Sequence, residues 1–128
     1  MAETYRYPRS MAVRRIVPNV FEADPVAARE FYAGLFGLDV AMDMGWIATL
    51  VSSKEHVAQI SVFEADAENG RDPFISIEVD DVDAVHARAL ELDCELVYSL
   101  RDEEWGVRRF MLRDPGGRVV NVLSHRGS

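Results

Sequence analysis

The sequence predicts an α+β domain in which two βαβββ modules form one cupped, mixed sheet with helices on its convex face. Three observations predict it. Asp24 and Asp81 each stand where a helix N-cap belongs, just after a strand-like run. Residues 58–63 and 118–123 repeat one alternating pattern at corresponding places, which reads as an internal duplication. The Asp114-Pro115-Gly116-Gly117 turn then joins the last two strands as a hairpin: Pro115 presets φ, the glycines tolerate positive φ, and Asp114 can accept the turn's amides. After that turn Val120 and Val122 share one strand face, while Val119, Asn121 and Leu123 share the other.

Taken in order, residues 1–13 carry Tyr5, Tyr7 and Pro8 without periodicity and read as an N-terminal arm. A single domain follows over 14–128, with one repeat at 14–64, a polar linker containing Asn69-Gly70 at 65–72, and a second repeat at 73–125. The first strand places Ile16, Pro18 and Val20 opposite Val17, Asn19 and Phe21. Its proline lacks a ladder donor, so the strand is expected at an edge, at a bulge or at a crossing between subunits. Asp24-Pro25 opens the first helix, whose apolar stripe is Val26, Ala27, Phe31 and Leu35 and whose stop is Gly37. Strands at 39–44 and 46–52 flank Gly45, and a third covers 57–63. The second repeat has a strand at 74–79, a helix with the stripe Val82, Val85, Ala89 and Leu92, a left-handed exit at Asp93, and strands at 95–100, 107–113 and 118–123.

A chain of 128 residues suits one core. Cys94 is its only cysteine, which excludes an intrachain disulfide or a multi-thiolate zinc site, and its acidic flanks disfavour a nucleophilic thiolate. No apolar run approaches the ~20 residues of a spanning helix, and the N-terminus has no signal-like apolar segment, so a cytoplasmic protein without membrane contact is expected. The net charge of −8 argues against nucleic-acid backbone binding and is compatible with a cationic small molecule.

With one helix per module, the concave face is left to bind a ligand or another chain. Alternation assigns it Val17, Asn19, Phe21, Gln59, Ser61, Phe63, Phe74, Ser76, Glu78, Val119, Asn121 and Leu123, with Trp46 and Trp105 beside nearby turns. Apolar and aromatic walls with sparse neutral hydrogen-bonders are the lining of a small-molecule pocket. Metal binding needs convergent His, Asp or Glu side chains, and His56, His86 and His125 are expected in a turn, on a helix margin and in the tail. Glu78 is either a general base or a carboxylate bonded to a neighbour. Trp105 either contacts ligand or covers the core's edge.

The segments REFYAGLFGLDV, ISIEVDDVDAVHARAL and RDPGGRVVNVL, in this order, resemble the vicinal oxygen chelate superfamily, which includes glyoxalase I, ring-cleaving dioxygenases and the bleomycin-resistance proteins. The likeness runs from Arg14 to His125. It implies metal-ligand positions at Val17, Ser61, Phe74 and Asn121, none a usual ligand, and therefore no metal and no other cofactor. Val17-Pro18, Trp105-Gly106 and the segment Leu112-Arg113-Asp114-Pro115 are most similar to the metal-free bleomycin-resistance proteins. That resemblance implies a homodimer with exchanged N-terminal strands, Pro18 as the crossing point, and capture of a small aromatic or amphipathic molecule. Capture, with antibiotic sequestration as one form of it, is the favoured expectation over catalysis. The expected ligand contacts are Asn19, Phe21, Trp46, Gln59, Ser61, Phe63, Phe74, Glu78, Trp105 and Asn121. The alternative is a lyase, isomerase or dioxygenase of the same superfamily, with Glu78 as the base of a metal-free isomerase.

Overall fold

The aspartates at the two strand-to-helix junctions act as caps, Asp24 accepting the Ala27 amide and Asp81 the Ala84 amide, each at 3.1 Å. At the exits Gly37 has φ +65° and Asp93 φ +55°, the left-handed conformations expected there. The structure, a computed structural model, describes residues 12–52 and 58–126; the arm through residue 11 and the turn holding His56 lie outside the described residues. Element order is β1 (Val13–Glu22), α1 (Pro25–Phe36), β2 (Asp39–Asp43), β3 (Ile47–Val51), β4 (Gln59–Glu64), β5 (Ile75–Val79), α2 (Val82–Glu91), β6 (Leu96–Asp102), β7 (Val107–Arg113) and β8 (Val119–His125). The fold is thus α+β, with β-α-β-β-β occurring twice. No helix of the described residues is long and apolar enough to cross a membrane.

All eight strands form one sheet in the order β2-β3-β4-β1-β5-β8-β7-β6. The pairs β1–β4 and β5–β8 are parallel and the rest antiparallel. β1 is therefore central, so of the edge, bulge and subunit crossing expected from Pro18 the edge is excluded. The proline is tolerated because β1 changes partner there: Val13 to Pro18 pair with β5, whereas Asn19 to Glu22 pair with β4. The β1–β5 ladder also carries a register shift between Val13 and Arg15.

Under α2 the core is Val79, Val82, Ala89, Phe110 and Val122, with Val85, Leu112 and Val120 packed against it. Leu92, expected in that stripe, is exposed because the helix ends at Glu91 and Leu92 is its cap. α1 departs further. It packs mainly on β3 and β4 through a face that includes Ala28, Tyr32 and Ala33, while Val26, Phe31 and Leu35 stay exposed. The half-buried residues lie one position round the helix from the apolar stripe, and no residue of α1 is fully buried.

In the final hairpin turn Asp114 Oδ1 accepts the Gly116 amide at 3.0 Å and the Arg118 amide at 2.9 Å, and Gly117 alone takes positive φ, +87°. The Arg118 backbone hydrogen bond, reinforced by the Arg118 charge and the Gly116 amide, holds the Asp114 carboxyl below the usual carboxylate range. A folded-state value lower than the unfolded one contributes stability that is complete above ~3.9 and is lost as pH falls through the folded value. Asp114→Asn should therefore lower the urea midpoint at neutral pH, and the difference from wild type should vanish in acid.

Candidate functional site

The strands that meet at the centre of the sheet bring their concave residues together. Val17 on β1 pairs with Ser76 on β5, Ser76 with Asn121 on β8, and Arg15 with Glu78. Ser61 on β4 lies beside Asn19. These positions floor a cavity of about 150 Å³ lined by Val17, Ser61, Ser76, Glu78, Asn121 and Leu123, together with Trp46, Phe63, Trp105, Val107 and Arg109. An aromatic series forms its wall: Phe21 stacks on Phe63 at 4.6 Å between centroids, Phe63 lies 5.9 Å from Trp46, and Trp46 meets Trp105 edge-on at 5.9 Å.

Hydrogen bonds fix the floor. Asn19 Nδ2 donates to Ser76 Oγ at 2.9 Å and to the Pro73 carbonyl at 3.1 Å, and Asn121 Nδ2 donates to Ser76 Oγ at 3.1 Å. The Oδ1 atoms of Asn19 and Asn121 are buried without a partner. Turning the Asn121 amide over, so that the Ser76 hydroxyl donates to it, leaves its nitrogen unpaired instead. In both orientations a residue lining the cavity keeps an amide atom to spare, and a buried polar atom of this kind costs about 1–3 kcal/mol until something bonds it.

Two charged groupings border the floor. Glu78 is buried and faces Arg15 Nε at 2.9 Å and His125 Nδ1 at 3.0 Å. The arginine is near enough for an ion pair but lies off the hydrogen-bond direction, so Glu78 Oε1 lacks a donor. Arg15 also donates to Gln59 Oε1 at 3.0 Å. On the other side Arg109 donates to Glu103 Oε2 at 2.7 Å and, through both terminal nitrogens, to the Glu68 carboxylate at 3.2 and 3.3 Å. Burial alone would lower the Arg109 pKa, but the charge and hydrogen bonds of Glu68, with those of Glu103 and Tyr98, outweigh it and hold the group above its ordinary value. The guanidinium also lies 5.3 Å from the Trp105 ring.

Of the ten expected contact residues, Trp46, Gln59, Ser61, Phe63, Glu78, Trp105 and Asn121 line the cavity, whereas Asn19, Phe21 and Phe74 do not. Asn19 supports Ser76 from the side, and Phe21 backs the Phe63 ring. Phe74 precedes β5 at the end of the sheet, where its exposed ring lies under the Arg118 guanidinium at 5.2 Å. Arg15, Glu68, Arg109 and His125 are cavity-lining residues that alternation and motif did not single out. His125 was expected in the tail, but β8 extends to it and the parallel pairing with β5 carries it to Glu78.

The positions assigned to metal ligands by resemblance therefore present Val17, Ser61 and Asn121 to the cavity, with Phe74 outside it. Among the described residues no three His, Cys, Asp or Glu side chains are grouped to hold an ion. A hydrocarbon, a hydroxyl and an amide do not fit the carboxylate and imidazole set that a divalent transition metal takes.

Breaking the buried arginine cluster has a predictable cost. Arg109→Leu leaves Glu68 and Glu103 without their shared cation and should destabilise the fold by about 3–5 kcal/mol in urea unfolding. The triple replacement that also converts both glutamates to glutamine should recover much of that loss.

Residues 15–122 match the model of the Glyoxalase/Bleomycin resistance protein/Dioxygenase superfamily. No curated protein matches the sequence. Among solved structures, an NAD-dependent benzaldehyde dehydrogenase from Legionella pneumophila is similar at 15% identity and TM-score 0.70, covering 87% of this chain and 99% of that one. Methylmalonyl-CoA epimerase from Mycobacterium tuberculosis is similar at 21% identity and TM-score 0.62, covering 88% and 87%. The Mn(II)-bound glyoxalase from Novosphingobium aromaticivorans is similar at 21% identity and TM-score 0.59, covering 88% of this chain and 38% of that one. At such identities the likeness is one of fold, whereas the family match spans most of the chain: the protein belongs to the Glyoxalase/Bleomycin resistance protein/Dioxygenase superfamily.

Proposed function

We propose that this protein is a metal-free member of its superfamily that captures a small aromatic or amphipathic molecule, in the manner of the bleomycin-resistance proteins. The observation that carries this reading is the cavity floor: Val17, Ser61 and Asn121 stand where an ion's ligands would be needed, beneath a wall of Phe63, Trp46 and Trp105. Stacking on the wall would supply affinity, and the spare amide atom of Asn121 would orient a hydroxyl or amino group. The volume of about 150 Å³ suits one ring. A drug-sized ligand takes roughly 300–1,000 Å³, so a sequestered antibiotic would insert a ring and leave the rest outside. A homodimer belongs to the same proposal, and the exposed Phe31, Leu35 and Phe36 on α1 give it an apolar surface to use.

A second reading is favoured by one contact. His125 Nδ1 lies 3.0 Å from Glu78 Oε2 at the cavity's edge, the arrangement by which a carboxylate orients an imidazole for proton transfer. That pair would serve an isomerase acting without a metal.

Both tryptophans of the chain line the cavity, so their fluorescence reports its occupancy. Titration with a panel of aromatic metabolites and antibiotics should give saturable quenching by at least one member. Trp105→Ala should weaken that binding by about ten-fold or more, and EDTA dialysis should leave it unchanged. No response across the panel, or a response lost with stoichiometric zinc, nickel, manganese or iron, contradicts the proposal. Turnover of a panel member that disappears in Glu78→Gln would favour the isomerase.

A further inference from the structure

Trp46, Glu68, Trp105 and Arg109 line both the cavity and an adjoining basin of about 330 Å³. The basin is built around one ring. The guanidinium carbons of Arg101, Arg109 and Arg71 lie 4.1, 4.8 and 5.1 Å from the centroid of Tyr98. Each contact gains from the ring's quadrupole, but three cations gathered on one phenol repel one another unless anions answer them.

Among the described residues only one of the three is answered by carboxylates. Arg109 has both Glu68 and Glu103. Arg71 gives its Nε to the Glu68 carbonyl, and Arg101 gives its Nε and one terminal nitrogen to Ser99. Among the described residues neither forms an ion pair, and their remaining N–H groups make no hydrogen bond. Three arginines against two glutamates leave the basin positive in a chain whose net charge is −8. Solubility does not call for such a cluster in an acidic protein, whereas planar guanidinium forks fixed against a ring match a carboxylate well.

We infer that this basin recognises a carboxylate on the captured molecule, held by Arg71 and Arg101 while the molecule's ring lies in the cavity against Trp46 and Trp105. The inference rests on the capture reading above and adds the sign of the ligand's charge. It runs against the cationic partner suggested by net charge, because the field in the basin depends on the arginines that line it more than on carboxylates spread over the surface.

The test is calorimetric titration of wild type and of the Arg71→Gln/Arg101→Gln double variant with three probes of matched shape: para-hydroxyphenylacetate, its neutral amide para-hydroxyphenylacetamide, and the cation tyramine. Wild type should bind the carboxylate about ten-fold or more tightly than the amide, and tyramine most weakly. In the double variant the advantage of the carboxylate should disappear while affinity for the amide is kept, which also shows that the variant folds. Arg71→Lys/Arg101→Lys should retain part of the advantage. Equal binding of the three probes by wild type, tightest binding of tyramine, or an advantage that survives in the double variant overturns the inference and leaves capture standing. Binding of none of them by wild type overturns the inference and counts against capture of a single ring as well.

Discussion

The antiparallel pairing of β1 with β5 is the constraint on which the rest depends. Each βαβββ module alone is a short twisted sheet with a helix on one side and half a cup on the other. Joining them at Val13–Pro18 produces an eight-stranded surface whose two halves curve toward one another. The same ladder sets Val17 against Ser76 and Arg15 against Glu78, so the floor and its charged border follow from one register. A slip of a single residue would turn all four of these β1 and β5 side chains over relative to their partners. Pro18 marks the point where β1 transfers its pairing from β5 to β4, which lets a residue without an amide donor sit at the centre of the sheet.

Polar groups in the cup are held in place by each other more than by packing. Ser76 receives both asparagines, and Arg109 gathers Glu68, Glu103 and Tyr98 beneath Trp105. A buried guanidinium with two carboxylates repays its desolvation only with good geometry, and its value is more in fixing the wall than in net stability. The segment that carries Glu68 illustrates this. Composition marks it as a polar connection, yet its turns at Asp66, Asn69 and Gly70 take positive φ and lay Glu68, only 5% exposed, onto Arg109.

Local chemistry made much of the fold legible. Asp24 and Asp81 announce helices because a carboxylate can accept the first free amides; Gly37 and Asp93 announce exits because few residues take positive φ; and Asp114-Pro115-Gly116-Gly117 announces a hairpin. Alternation then assigned Ser61, Phe63, Glu78 and Asn121 to the face they occupy. Long side chains were not legible. Arg15, Arg109 and Glu68 carried no signal in alternation or motif, since sequence does not say that a guanidinium will find a carboxylate 41 residues away along the chain. Phe74 shows the limit of alternation: its backbone is bonded to Asn19 and Val119, yet at the end of β5 its ring is exposed and lies under Arg118 instead of lining the cup. α1 shows another, because its most apolar stripe is not the face that touches the sheet.

What joins these observations is a cup whose floor offers an amide and hydroxyls, whose wall is aromatic and which shares residues with a basin lined by three arginines and two glutamates. The most direct measurement is amide and indole chemical-shift mapping on isotope-labelled protein as para-hydroxyphenylacetate is added in the presence of EDTA. The expected result is saturable movement of the Trp46 and Trp105 indole N–H signals together with the Asn121 side-chain amide, at one common affinity. Shifts confined to residues away from the cup, or movement that requires an added divalent ion, would contradict it.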